Sequence, residues 1–266
     1  MTRTPDAPSS HGPVPPRTPV DVRGVRIGAG RPVVVVPLTS ATPGALLADA
    51  AAVVAAGPDV VEWRVDHLAD LAPERAAAAG RALVEALGGL PLLVTVRTAA
   101  EGGRADVDDA GYAALLLAVL DAGVVDLLDV EVGRDAGTVA QLVARAHDAG
   151  VPVVGSSHDF SGTPDADAIV ARLLGMAEAG ADVLKIAVMP HRPEDVLRLL
   201  AATLETARRT DRPLITMAMG ELGVASRVAG GTFGSSATFG TVGAASAPGQ
   251  VELGALRSAL AVLHPA

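Results

Sequence analysis

The chain has 266 residues, half of them hydrophobic and only 2% aromatic, with a formal net charge of -9 and no cysteine. That length allows one large domain or two small ones, with a core built from Ala, Val and Leu. The acidic balance argues against a general nucleic-acid binder, and the absence of cysteine excludes disulfides, thiolate metal sites and a cysteine nucleophile.

Residues 1–19 are rich in Pro, Ser and Thr and lack the apolar core of a signal peptide, so a disordered tail is expected there. A single catalytic domain is expected over 20–266. Val20–Ile27 alternates in strand fashion before Gly28-Ala29-Gly30 turns the chain, which suggests a hairpin covering one end of the domain. From Val33 onward β-rich runs alternate with alanine-rich segments. Strands are predicted at Val33–Leu38, Val60–Val65, Leu92–Arg97, Val125–Val130, Val153–Ser157, Val183–Val188, Leu214–Met217 and Ala237–Gly240. Helices are predicted at Gly44–Ala56, Pro73–Leu87, Asp108–Ala122, Ala136–Ala149, Asp165–Ala179, Pro193–Arg209, Val224–Ala229 and Val251–Leu263. Gly57, Gly88, Gly123, Gly150 and Gly180 follow the last turns of five of them, as helix stops do. Eight strand–helix units, one per roughly 30 residues, predict a (β/α)₈ TIM barrel with the N-terminal hairpin closing its bottom. A doubly wound open sheet usually uses fewer units. No uninterrupted apolar stretch is long enough to span a bilayer, and a cytoplasmic protein is the default expectation.

One cation is out of pattern. The chain has a single lysine, Lys185, in the run Val183-Leu184-Lys185-Ile186-Ala187-Val188, and arginine everywhere else. Lysine can lose its proton and attack a carbonyl, which arginine cannot. The bland alternative is a stray residue snorkelling from a strand end. Barrel strands are covered on both faces, so charges within them are informative. Alternation puts Glu62, Arg64 and Asp66 on one face, Thr95 with Arg97, Asp129 with Glu131, and Ser156 with His158, while Lys185 ends the sixth strand. Buried charges must be paired. For Asp129 and Glu131 a layer of mutually satisfied ion pairs is the favoured reading, and for Glu62 and Arg64 a site. His67 and His191 follow strand ends and are better placed for a role than His11, His147 and His264. No histidine pair has metal-ligand spacing, so no metal is expected.

The segments Glu62-Trp63-Arg64-Val65-Asp66-His67, Arg97-Thr98-Ala99-Ala100-Glu101-Gly102-Gly103, Ser157-His158-Asp159-Phe160, Lys185-Ile186-Ala187-Val188-Met189-Pro190, Ser226-Arg227-Val228-Ala229-Gly230 and Ala245-Ser246-Ala247-Pro248-Gly249-Gln250 follow one another on the expected strands. Together they resemble type I 3-dehydroquinate dehydratases, lysine-dependent (β/α)₈ enzymes of the shikimate pathway, over about Val25 to Gln250. The resemblance implies that Lys185 forms a Schiff base with the substrate ketone. His158 then acts as general base and acid, and Glu101 orients it. It implies that Arg227 pairs with the substrate carboxylate, and that Glu62, Arg64 and Arg97 hold ring hydroxyls and the charge network. Met217, Met219 and Phe239 form an apolar wall, and Ser246 and Gln250 lie on a lid. It implies a small-molecule substrate, no cofactor, no nucleic-acid or membrane partner, and a possible homodimer. The family often has a tyrosine where Ser157 stands, and some members have a substrate-contacting serine at the place of Pro37.

Two other readings compete. A class I aldolase or transaldolase also uses a barrel lysine, but most need a phosphate site after strands seven and eight. The Gly230-Gly231 and Gly234 region is where one could form. A non-catalytic barrel predicts no convergence of Lys185 and His158.

Overall fold

The computed structural model describes residues 14–243 and 249–265. A hairpin, β1 (Val20–Val22) and β2 (Val25–Ile27), comes first. Then β3 (Val33–Leu38), α1 (Pro43–Ala56), β4 (Val60–Arg64), α2 (Pro73–Leu87), β5 (Leu92–Thr95), α3 (Asp109–Asp121), β6 (Leu127–Glu131) and α4 (Ala136–Asp148) form the first half. The second half holds β7 (Val153–Asp159), α5 (Ala166–Glu178), β8 (Val183–Val188), α6 (Pro193–Arg209), β9 (Leu214–Ala218), α7 (Val224–Ala229), β10 (Ala237–Thr241), the short β11 (Val251–Glu252) and α8 (Leu253–Leu263).

Local chemistry sets the helix ends. Thr42, Asp108 and Asp135 accept backbone N–H groups of the first turns of α1, α3 and α4. Proline opens α1, α2 and α6, where its missing N–H costs nothing. The five glycines expected to stop helices all have positive φ. Gly80, inside α2, is there for a close approach, because a Cβ would lie 2.8 Å from Val124 Cγ2 and 3.1 Å from the Trp63 ring.

The parallel strands run in the order β10-β3-β4-β5-β6-β7-β8-β9, with β11 flanking β10. A parallel bridge from Leu214 to Ser235, beside the start of β10, closes the ring. The protein is therefore a (β/α)₈ barrel. Its two apolar clusters divide by strand parity. Val34, Val36, Val61, Trp63, Leu92, Val94, Leu128, Val130, Leu184 and Ile186 point outward and pack under the helices. Val33, Val35, Val60, Leu93, Leu127, Val154, Val183 and Ile215 point inward and form the floor. Val22 and Ile27 of the hairpin join this inner cluster, so the hairpin plugs the bottom.

Four expectations need correction. The hairpin turns at Arg23–Gly24, both with positive φ, rather than at Gly28-Ala29-Gly30. Val22 pairs with Val25, and a two-residue turn of that kind matches the strand twist. The strand expected to reach Val65 stops at Arg64, because Val65–His67 coils into a 3-10 turn that takes Asp66 off the strand's alternation. The strand expected to reach Arg97 stops at Thr95. There the Arg97 N–H donates to Asp66 and its carbonyl accepts from Ala105, so the chain peels away. Finally, Lys185 stands third in the six residues of β8, not at its end. Of the expected tail, residues 1–13 lie outside the described residues. Arg17 donates to the carbonyls of Ala207 and Thr210, and the Thr18 N–H donates to Asp211 O.

Candidate active site

Above the apolar floor, the inward residues of successive strands turn polar. Glu62, Thr95, Asp129, Ser156 and Lys185 come one alternation step up from Val60, Leu93, Leu127, Val154 and Val183. Arg64, Arg97, Glu131 and His158 come one step above those. A cavity of about 270 Å³ opens over these layers at the C-terminal ends of the strands, the end at which TIM barrels place their chemistry. Lys185, His158, Glu101, Glu62, Arg64, Arg97 and Arg227 all line it.

Lys185 is 3% exposed, at the bottom of this cavity. Its Nζ donates to Asp129 Oδ2 at 2.9 Å and lies 3.5 Å from Glu62 Oε1. It also sits 5.0 Å from the centre of the Phe239 ring. Thr95 Oγ1 donates to the same Glu62 oxygen, which fixes that carboxylate against β5.

His158, the sixth residue of β7, meets Glu101 from the turn after β5. The Nδ1···Oε2 distance is 2.8 Å. The His158 backbone N–H and Arg97 Nη1 also donate to that oxygen. An oxygen surrounded by donors acts as the acceptor, so Nδ1 carries the proton and Nε2 keeps its lone pair. Burial pushes the Glu101 carboxyl up to about 7. Burial, together with the charges of Arg97, Lys185 and Arg64, holds the His158 imidazolium well below its usual range. Both effects leave the imidazole neutral, as a base must be.

Arg97 is the hub. Nη2 donates to Asp129 at 2.7 Å, and Nη1 faces Glu131, Ser156 and Glu101 at 2.9, 3.0 and 3.2 Å. Glu131 also accepts from the backbone and hydroxyl of Thr98, and its own N–H donates to the buried Tyr112 hydroxyl. Glu131 is thus part of a satisfied ion-pair layer, as expected. Asp129 belongs to that layer through one oxygen and holds Lys185 with the other. Burial opposes its ionisation, but the charges of Arg97 and Lys185 outweigh that and keep the carboxyl at about 2. Arg64 makes a two-pronged pair with Asp66 at 2.7 Å for each bond, and Asp66 also accepts the backbone N–H groups of Arg97 and Arg104.

Arg227, near the end of α7, is 3% exposed, with Nη1 3.6 Å from Met217 Sδ. Burial lowers its guanidinium to about 10, so it remains a cation at neutral pH. Met217, Met219, Phe239 and Gln250 line the cavity with it. Ser246 lies outside the described residues.

Four lining residues have no role assigned from the sequence: Ala187, Arg104, Gly102 and Phe160. The last two pack together, because a Cβ at Gly102 would overlap the Phe160 ring. His67 lines the cavity too, whereas His191 binds the Ser161 carbonyl at the surface and His147 pairs with Asp182. Among the described residues, no group of three or more His, Asp or Glu is arranged to hold a metal ion.

Comparison with known proteins agrees with this arrangement. The model of the family described as type I 3-dehydroquinase matches residues 34–266. The chain is 48% identical over 242 residues to the 3-dehydroquinate dehydratase of Lactiplantibacillus plantarum, covering 91% of this chain and 96% of that protein. The crystal structure of 3-dehydroquinate dehydratase from Geobacillus kaustophilus superposes with a TM-score of 0.90 at 36% identity, over 92% of this chain and 96% of that one. The type I 3-dehydroquinate dehydratase of Clostridium difficile, crystallised with covalently modified comenic acid, gives 0.90 at 39% identity over 93% and 98%.

Proposed function

Because this chain belongs to the type I 3-dehydroquinase family, we propose that Lys185 is its imine-forming nucleophile and His158 its general base and acid. The chain is an enzyme, a hydro-lyase that converts 3-dehydroquinate to 3-dehydroshikimate and water. The observation that carries the residue assignment is the meeting, in one cavity at the catalytic end of the barrel, of the sole lysine and a histidine whose Nε2 is left as a base.

The steps follow from the chemistry. Lys185 condenses with the ring ketone and releases water. The protonated imine withdraws electrons, so the adjacent C–H becomes acidic. His158 Nε2 takes that proton, and electrons flow into the imine to give an enamine. When they return, the C–O bond of the neighbouring carbon breaks, and His158 hands its proton to the departing hydroxide. Water then hydrolyses the imine and frees Lys185. Arg227 pairs with the substrate carboxylate, a task suited to a guanidinium fork. Glu62, Arg64 and Arg97 hold ring hydroxyls and the surrounding charges, and Met217, Met219 and Phe239 wall the ring. Gln250 lines the same cavity. The aldolase reading is not favoured, since the relatives named above are dehydratases.

Among the described residues no helix is long and apolar enough to cross a membrane. A single catalytic domain over 20–266, a cytoplasmic setting and a homodimeric assembly belong to the same proposal, supported by likeness to a 3-dehydroquinate dehydratase over 91% of this chain.

Borohydride reduction in the presence of 3-dehydroquinate tests the nucleophile directly. The reduced adduct should appear by mass spectrometry on the peptide carrying Lys185. An unmodified lysine in folded, substrate-saturated protein would sink the assignment. Turnover is also expected to depend on pH in a definite sense. The working form of the pair is a Glu101 carboxylate with a neutral imidazole. Lowering the pH through about 7 adds a proton to the pair, so kcat/KM should fall with acidification there. In Glu101→Gln the titrating carboxylate is gone, and the acid limb of the profile should move to lower pH.

A further inference from the structure

Lys185 reaches Asp129 across the inside of the barrel, over the intervening strand β7. That reach is possible because the inward residue of β7 at this level is Ser156, which pairs in register with Lys185 and donates from Oγ to Asp129 Oδ1 at 2.6 Å. Asp129 is 0% exposed, and its two oxygens divide their work. Oδ2 takes Lys185 Nζ, while Oδ1 takes Arg97 Nη2 and Ser156. Arg97 in turn reaches Glu101, which holds His158. A continuous chain of charged hydrogen bonds therefore links the nucleophile to the base.

We propose that Asp129 is a positioning residue for the reaction: it serves as counter-ion to the Lys185 nitrogen before and after imine formation, and ties that nitrogen through Arg97 to the Glu101–His158 pair. The inference rests on the role assigned to Lys185 above. The charge balance supports it. When an ammonium condenses with a ketone, two of its three hydrogens leave with the carbonyl oxygen as water, and the third stays on the iminium. The nitrogen carries one positive charge at both ends of the step, so a fixed carboxylate suits both states.

Glu62 is the other acid near Nζ, but it is farther away and already accepts from Thr95. The remaining charged groups turned toward this cavity are Arg64, His67, Arg97, Glu101, Arg104, His158 and Arg227. Glu101 is the one acid among them and is engaged with His158 and Arg97, so Asp129 provides the close negative charge.

Because Lys185 is the sole lysine, cyanate labels one side chain besides the α-amino group, and its rate against pH reports the free amine without any substrate. In Asp129→Asn the midpoint of that titration should move to lower pH by about one pH unit or more, since an opposing charge has been removed. Asp129→Glu keeps the charge but displaces Nζ by a methylene. Its midpoint should stay near wild type, while the rate of borohydride-trappable imine formation falls about tenfold. A wild-type midpoint in Asp129→Asn overturns the proposal, as does wild-type trapping in Asp129→Glu if the asparagine variant does not fold. Failure to trap an imine in the wild type would instead defeat the role of Lys185 and leave the cyanate titration readable.

Discussion

Lys185→Met is expected to lower turnover by roughly 10⁵-fold or more, the scale on which loss of a covalent nucleophile acts. No borohydride-dependent mass should appear on the variant. Methionine matches the length of the lysine stem and can lie against Phe239, so the apolar side of the site is preserved. Asp129 loses one cation but retains Arg97 and Ser156, so the ion-pair layer survives. Lys185→Arg sharpens the test. It restores a cation to Asp129 and Glu62, yet arginine stays protonated and forms no imine. If the charge at this position were what mattered, the arginine variant would recover activity. The expected result is that both variants fold, as judged by circular dichroism, and neither turns over. Turnover in either at a wild-type rate would mean the reaction proceeds without the imine.

The barrel was legible in the sequence because its signals are local and repeated. Glycines stop five helices, prolines open three, and short β-rich runs lie between the helices, and each signal reports its own unit. The errors fall where a distant group intervenes. Arg97 leaves its strand because Asp66, thirty-one residues earlier, takes its N–H. Asp66 can do so only because the chain coils after Arg64, a local event that alternation does not reveal. The hairpin turn departs from expectation for another reason. Arg23 adopts positive φ although it is not glycine, whereas Gly28-Ala29-Gly30 carries the stronger local turn signal.

The site was legible in part, since parity tells which strand residues face inward. Parity does not tell which inward residues share a level, because the strands are staggered around the barrel. Glu62, Asp129 and Lys185 lie on three different strands, and only the assembled register brings both acids to one nitrogen. Asp129 was therefore readable as a buried ion-pair acid but not as the partner of the lysine. Arg97 shows another side of this. The family resemblance gives it ring hydroxyls and the charge network together, and its hydrogen-bond partners in the structure are Asp129, Glu131, Ser156 and Glu101. Whatever it contributes to binding, it also spans the distance between the nucleophile's carboxylate and the base's.

His158→Ala separates the two halves of the mechanism. Turnover should fall about 10²–10⁴-fold, the usual range for removal of a general base. The imine should still form, more slowly, because Lys185, Asp129 and Glu62 are untouched. Borohydride should therefore trap substrate mass on a protein that has almost ceased to dehydrate it. The distinction matters because a general loss of site structure would lower trapping and turnover together. Glu101 keeps the N–H of residue 158 and the Arg97 guanidinium as donors, so the turn after β5 should hold its place. Wild-type turnover in this variant would assign the proton transfers to another group. Failure to trap the imine even at long times would make His158 indispensable to the first chemical step as well.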